Sequence, residues 1–386
     1  MDRVNIAIID DGINADVFEN ISGVYQRLWV TDNLEIKNED LDYGRGCVSH
    51  GTECASILCR YCNNCNIVSI RILDEKKKDC RIDKLVVALE WCLENSISIC
   101  SMSLGTEEYQ DQFTLKNVIV KLVRRGTIMV ASMSNRNRAT YPADLIGVLR
   151  VKGYETSGKK EISPGKNKLF EPDFWAAGIH QLKSITNETY YVNGNSYAVP
   201  VVVAKINELK RQRPKLDITQ ICRKMNYSSN ELKASDSLIG KNRDLNYPNL
   251  CSNRYIEKLR KLPFHEIEGP ILVAFGKERF KKVNAFIEFM RQNGFYGLAI
   301  DNAIGNDKME GALHLSRWCL SISVLGSLEE YFNVDFIIVC LSKPIEQILS
   351  ICDLSIDTDD LADEKDSFEK IKRMLEFGDL VYLEDK

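Results

Sequence analysis

Val4-Asn5-Ile6-Ala7-Ile8-Ile9-Asp10-Asp11-Gly12 begins with an almost unbroken apolar run and ends on two carboxylates and a glycine. A short run without alternation fits a strand buried on both faces, as in a parallel sheet covered by helices. Ile67 to Leu73, Ile97 to Leu104 and Thr127 to Ser132 repeat the pattern. Helical stripes lie between them. Leu85, Val86, Leu89, Trp91, Cys92 and Leu93 make one; Leu115, Val118, Ile119, Leu122 and Val123 make another, closed by Gly126 at the position after the helix cap. Strands alternating with helices predict an α/β fold, a doubly wound and mostly parallel sheet with ligands at the carboxyl ends of its strands. A long helix is expected from Ser196 to Pro214, and a further one over 216–225.

Tyr227 to Arg254 is rich in Ser, Asn, Asp, Lys and Pro and has no sustained period, which reads as a linker. Strand patterns resume at Ile271 to Phe275, Leu298 to Ile300 and Phe336 to Leu341. Helical patterns run over Phe280 to Met290, Leu313 to Leu325 and Phe368 to Phe377. The expected organisation is therefore a larger domain over 1–226, a linker over 227–268 and a second, smaller α/β domain over 269–386. In that second unit, Ala274-Phe275-Gly276-Lys277-Glu278-Arg279 sits where a phosphate loop would, between strand and helix, but lacks the glycine spacing and the Lys-Ser/Thr pair. A scaffold for substrates or partners is the better reading.

The 386 residues carry a formal net charge of −4, which excludes the strong basic excess of a nucleic-acid binder. No apolar run is long enough to cross a bilayer, so no membrane partner is expected. Met1-Asp2-Arg3 enters the first strand pattern directly, with no apolar export segment, and a cytoplasmic location is expected. The 13 cysteines are odd in number and scattered through apolar patterns, as reduced core thiols would be. Cys59, Cys62 and Cys65 have a spacing open to zinc or an iron–sulfur cluster, with Cys54 or Cys80 as a fourth ligand. No second Cys-x-x-Cys pair completes a site, so a reduced, partly buried cluster is expected, with no metal and no cofactor.

Three short segments carry the chemistry, in the order Asp, His, Ser: Ile9-Asp10-Asp11-Gly12, His50-Gly51-Thr52 and Gly194-Asn195-Ser196-Tyr197-Ala198-Val199-Pro200. A serine hydroxyl becomes nucleophilic when a base takes its proton. Histidine does this near neutral pH when a carboxylate fixes its tautomer. The oxyanion that follows needs donors aimed at it. Ser196, at a helix start, has a backbone N–H free of intrahelical bonding.

These segments resemble the subtilisin-like serine proteases, whose members carry Asp-Thr/Ser-Gly, His-Gly-Thr and Gly-Thr-Ser-Met-Ala-x-Pro in that order. The resemblance covers roughly residues 4 to 210 and implies a subtilisin-like fold. It implies Asp10 as orienting carboxylate, His50 as general base and Ser196 as nucleophile. Ser103, Leu104 and Gly105 are similar to the family's substrate-binding strand, and Ser132, Met133, Ser134 and Asn135 to the strand ending in its oxyanion asparagine. Asn195, Tyr197, Val199, Ser134 and Glu53 depart from the family's usual residues, which bears on specificity more than on chemistry. The implied substrate is a peptide or protein, a ribosomally made precursor peptide among the options. No loop of spaced Asp, Asn and Gly argues for calcium. Glu107 and Glu108, just past Gly105, are expected to attract basic substrate residues. Against an active endopeptidase stand a scaffold that keeps the triad without using it, a general protein-turnover protease, and a metal- or redox-responsive protein built on the cysteine cluster.

Overall fold

The computed structural model describes residues 3–39, 47–62, 64–73, 81–136, 138–145, 147–154, 162–165, 171–225, 267–302, 309, 312–315, 320–342, 345–359, 368–369 and 372–373. The chain divides into two compact units, Met1–Lys241 and Asn242–Lys386. The proposed linker lies outside the described residues except for 267 and 268, as do Cys80 and most of the acidic stretch after Asp357.

The first unit is built on a nine-stranded sheet. Its strands are β1 (Val4–Asp10), β2 (Val24–Val30), β3 (Ile36–Asn38), β4 (Cys65–Arg71), β5 (Ile99–Met102), β6 (Ile128–Ser132), β7 (Val148–Tyr154), β8 (Ser163–Pro164) and β9 (Phe174–Ala177), in the order β3-β2-β4-β1-β5-β6-β7-β9-β8. All neighbours are parallel except the edge pairs β2/β3 and β8/β9. The chain leaves β1 toward β4 on one side and β5 on the other, so the order reverses at β1. A crevice at the carboxyl end of such a strand is where α/β sheets bind ligands, and Asp10 is its last residue.

Helices α1 (His50–Tyr61), α2 (Ile82–Glu94), α3 (Asp111–Arg124), α4 (Val199–Gln212) and α5 (Ile218–Lys224) complete the unit, with a hairpin of β10 (Ile179–Lys183) and β11 (Thr189–Asn193). Helices α1 and α4 pack together, as do α2 and α3. Ala55, Ile57 and Leu58 of α1 and Val201, Val202 and Ile206 of α4 share one apolar core with Ile6, Ile8, Ile67, Ile99 and Val130 of the sheet. Gly126, at φ 86°, takes the left-handed turn after α3 that its place in the sequence predicts. The expected long helix starts later than Ser196: Asn195–Ala198 form a 3₁₀ turn and α4 begins at Val199, with Pro200 in its first turn where no backbone donor is needed.

The second unit is a five-stranded parallel sheet of β12 (Ile271–Phe275), β13 (Gly297–Asp301), β14 (Leu313–His314), β15 (Phe336–Cys340) and β16 (Leu354–Asp357), in the order β14-β13-β15-β12-β16. Its helices are α6 (Arg279–Gln292), α7 (Ile322–Phe332) and α8 (Glu346–Leu349). The helix expected over Leu313 to Leu325 is not one element: Leu313 and His314 pair with β13, and helix begins at Ile322. No helix among the described residues is long and apolar enough to cross a membrane.

Arg150 on β7 is buried between Asp144 (3.2 Å) and Asp173 (3.5 Å), whose carboxylates are themselves largely buried. Removing the cation strands two buried negative charges. Arg150→Met should therefore lower unfolding free energy by about 3–5 kcal/mol in urea titration; an unchanged midpoint would show that water reaches both carboxylates.

Candidate active site

The site is organised where β1 ends and α1 begins. Ser49 caps α1: its Oγ accepts from Thr52 N (3.2 Å) and donates to the Gly12 carbonyl (2.8 Å). Asn14 N donates to Thr52 Oγ1 at 2.8 Å, a second stitch between the two segments. Asp11 adds the electrostatic part. Its carboxylate accepts from the N–H groups of His50 (3.0 Å) and Gly51 (2.7 Å), the orphan donors of a helix N-terminus. The approach is so close that a Cβ on Gly51 would lie 2.5 Å from the Gly12 carbonyl oxygen and 3.1 Å from Asp10 Cβ. The glycine after His50 is thus a steric requirement of this junction.

The junction brings the His50 ring onto Asp10. Nδ1 of His50 lies 2.9 and 3.0 Å from the two Asp10 oxygens, and the Asp10 side chain is 1% exposed. Burial works against charging the imidazole. Asp10's charge and hydrogen bond, with the Asp11 and Glu53 charges behind them, outweigh it and lift His50 to about pKa 9. Asp11's own carboxyl is pushed up, first by burial and then by Asp10, against the two N–H bonds it accepts.

Ser196 lies in the 3₁₀ turn ahead of α4, fastened from two sides. Toward β5, Ser196 Oγ donates to the Ser103 carbonyl (3.0 Å) while Ser103 Oγ donates to the Ser196 carbonyl (2.8 Å). Toward β6 and β7, the buried Asn195 donates through Nδ2 to the carbonyls of Met133 (3.1 Å) and Ser134 (3.2 Å) and accepts from Gly153 N (2.9 Å). Asn195 N also donates to Asn135 Oδ1 at 3.3 Å, so the remaining donor of Asn135 is its Nδ2 group. Ser103, Met133, Ser134, Asn135 and Ser196 are thereby tied into one network, and the Asp10–His50 pair lies beside it, the Tyr197 ring 5.2 Å from the imidazole. In this rotamer the Ser196 hydroxyl faces Ser103 rather than His50.

The two expected substrate strands flank this turn. Leu104 and Gly105 follow β5, where Thr106 and Tyr141 exchange backbone hydrogen bonds of 2.8 and 2.9 Å. A Cβ on Gly105 would strike Thr140 Cγ2 at 2.4 Å. Ser132 ends β6. Glu107 and Glu108, read alike in the sequence, part here. Glu107 accepts from Ser134 Oγ (2.6 Å) and lies 4.0 Å from Arg136, whereas Glu108 is exposed.

Sequence reasoning assigned no part to Asp11 and treated Asn195 only as a departure from the family pattern. The signal for Asp11 was a carboxylate one residue past the strand end, where a helix start must dock; for Asn195, a side chain with both donor and acceptor beside a buried turn. Among the described residues, the one group of three ligand atoms compact enough for a metal is Asp10, His50 and Cys54, and an ion there would occupy the imidazole itself. Cys59, Cys62 and Cys65 form no such group. Cys62 instead accepts from Asn207 Nδ2 at 2.7 Å. The Cys65 thiol bonded to it, ahead of the opposing effect of burial, holds it down to about pKa 6.

A family model described as the subtilase family matches residues 2–242. The minor extracellular protease Epr of Bacillus subtilis (strain 168) is 25% identical over 225 residues, 55% of this chain and 33% of that protein. A thermostable alkaline protease of Halalkalibacterium halodurans is 24% identical over 203 residues, 50% of this chain and 55% of that protein. The chain thus spans only a third to about half the length of these relatives. Among solved structures, a lanthipeptide protease superposes with a TM-score of 0.45 at 15% identity, covering 57% of this chain and 78% of its own.

Asp10→Asn removes the largest influence raising His50. Followed by the ring-proton NMR signals, the His50 titration should fall well below about 9, since burial then meets only the charges of Asp11 and Glu53. A midpoint still near 9 would mean that Asp11 and Glu53 hold the charge.

Proposed function

This chain belongs to the subtilase family, and from that premise we propose that it is a serine endopeptidase acting through an acyl-enzyme. Ser196 is the nucleophile, His50 the base and then the acid to the leaving amine, and Asp10 fixes the tautomer and offsets the imidazolium charge. The Ser196 N–H and Asn135 Nδ2 are the oxyanion donors, the second worth about 10²–10³ in turnover in such sites. The observation that carries this reading is the double contact of His50 Nδ1 with the buried Asp10, beside the Ser196 turn, where the next residue, Tyr197, packs its ring 5.2 Å from the imidazole.

The base must be neutral to accept the serine proton. With His50 at about 9, the neutral fraction at pH 7 is roughly one in a hundred, and kcat/KM should climb about tenfold per pH unit until it levels near pH 9. Acidification removes activity; alkalinisation restores it. Ser196→Ala should abolish peptide hydrolysis and fluorophosphonate labelling while thermal unfolding stays unchanged. Parental turnover in that variant refutes the assignment. The Ser196–Ser103 bond favours a second reading, a scaffold that retains the triad residues without turnover. Full-length protein that never labels with fluorophosphonate, even at pH 9, would decide for it.

The finer role we propose is selective processing of a peptide or protein precursor in the cytoplasm. Ten cysteines among the described residues are free thiols, eight of them buried, in keeping with a reducing compartment. Glu107, held by Ser134 beside the expected substrate strand, gives a preference for Lys or Arg, and the second unit helps to choose the substrate. Glu107→Gln should cost basic substrates more kcat/KM than neutral ones in a peptide-library profile. Broad digestion of casein by the full chain would point to general turnover instead.

A further inference from the structure

Two of the residues that depart from the family pattern meet over the His50 ring. Tyr197, directly after Ser196, packs its ring on the imidazole with centroids 5.2 Å apart and planes tilted by 53°. Its hydroxyl donates to Glu53 Oε2 at 2.7 Å. Glu53 stands one turn after His50 on the same helix, so the hydrogen bond runs from the Ser196 turn back to the helix that carries His50. Burial, and then the Glu53 carboxylate, keep the Tyr197 phenol well above its ordinary range, so it remains a neutral donor. Tyr190 on β11 also faces Glu53: burial first, then the Glu53 charge and its side-chain interaction, raise the Tyr190 phenol too.

We propose that Tyr197 and Glu53 act as a positioning clamp that holds the His50 ring between Asp10 and the Ser196 turn. This rests on the reading of His50 as the base. Asp10 fixes one edge of the ring through Nδ1, which still leaves rotation about the side-chain bonds. An aromatic ring packed at a tilt against the imidazole restricts that rotation. The tether to Glu53 keeps the aromatic ring in place, because a phenol anchored at its far end cannot swing away with its own turn. Both ends of the clamp sit on elements already fixed: α1 by its Ser49 and Asp11 caps, the Ser196 turn by Asn195. The charged groups facing His50 are Asp10 and Asp11 from the end of β1 and Glu53 from α1; buried Cys54 stays a neutral thiol, its ionisation pushed far up by burial first and by the carboxylates next. Glu53 therefore has two separable effects, a hydrogen-bond acceptor for Tyr197 and a negative charge beside the imidazole.

The variants separate these effects. With the full chain and a peptide substrate, Tyr197→Phe and Glu53→Ala should each lower kcat by on the order of 10–100-fold with KM little changed, the size expected when a reacting group is misplaced by a fraction of an ångström to an ångström. The double variant should be no worse than either single one, because the two side chains act as a unit. Glu53→Gln keeps an acceptor for the Tyr197 hydroxyl and should recover most of the turnover measured above the midpoint. It removes a negative charge, so its His50 titration and the rise of its pH–rate profile should move to lower pH; Tyr197→Phe should not produce that acid shift. Parental kcat in Tyr197→Phe and Glu53→Ala overturns the clamp. So does a rise in KM at unchanged kcat, which would make Tyr197 a wall for substrate. If Ser196→Ala keeps parental turnover, the assignment of the base fails instead, and the ring-proton NMR signals of His50 then decide: signals unchanged in shift and width in Tyr197→Phe refute the ring packing on which the clamp rests.

Discussion

Everything at the site depends on how closely the end of one strand approaches the start of one helix. Asp10 is fixed by β1, the strand at which the sheet order reverses, and His50 is the first residue of α1. Their contact needs the backbones at Gly12 and Gly51 nearly touching, a distance no side chain on residue 51 would allow. A helix N-terminus brought so near a buried carboxylate would ordinarily leave unpaired N–H groups. Asp11 and Ser49 take three of them, so the helix end is satisfied and immobile at once. The Asp10–His50 contact is thus a by-product of good helix capping in a tight place. It needs no strained backbone of its own.

The same junction concentrates negative charge. Asp10, Asp11 and Glu53 surround one partly buried imidazole, and their combined attraction exceeds the penalty that burial sets on its charge. On the proposed mechanism a strongly held imidazolium is favourable when His50 has just taken the serine proton, because that charged species would lie on the reaction path. It is unfavourable in the resting enzyme, where the base must be free. The balance between the two settles the working pH, and Glu53 is the member of the trio that touches neither the backbone N–H groups of α1 nor the ring nitrogen.

Much of this was legible in the chain. The apolar run ending in Asp10 announced a central strand because both faces of β1 are covered, and periodicity located α2 and α3 for the same reason: each buries one stripe. The three motif segments converge because parallel strands deliver their carboxyl ends to one edge. Less legible were elements whose sequence carries little apolar signal. Strand β2 alternates half-buried and exposed residues over its first four positions and buries only Leu28 and Val30, and the β10–β11 hairpin exposes Tyr191, so neither stands out from a loop. In the second unit Leu313 reads as helical with the apolar stripe Leu315, Trp318, Cys319, Ile322 and Leu325 that follows it, while the backbone pairs it with β13. The roles of Asn195, Asp11 and Tyr197 were hidden for a different reason. Each depends on what lies opposite in space, and spacing along the chain does not report that.

The orientation of Ser196 bears on how the resting state relates to turnover. Its hydroxyl donates to Ser103 and must leave that carbonyl to reach His50. One neutral hydrogen bond of this kind contributes about 0.5–1.5 kcal/mol net, so its loss retards the reaction by roughly tenfold at most. The carbonyl left behind does not become an orphan, because Ser103 belongs to the segment expected to pair with a bound peptide, whose N–H can replace the hydroxyl. The reverse bond, from Ser103 Oγ to the Ser196 carbonyl, is untouched by rotation of the Ser196 side chain and keeps the turn in place while the hydroxyl moves. On the proposed mechanism, substrate binding and release of the nucleophile would then be coupled through one carbonyl: a peptide that pairs with Ser103 would also free the Ser196 hydroxyl.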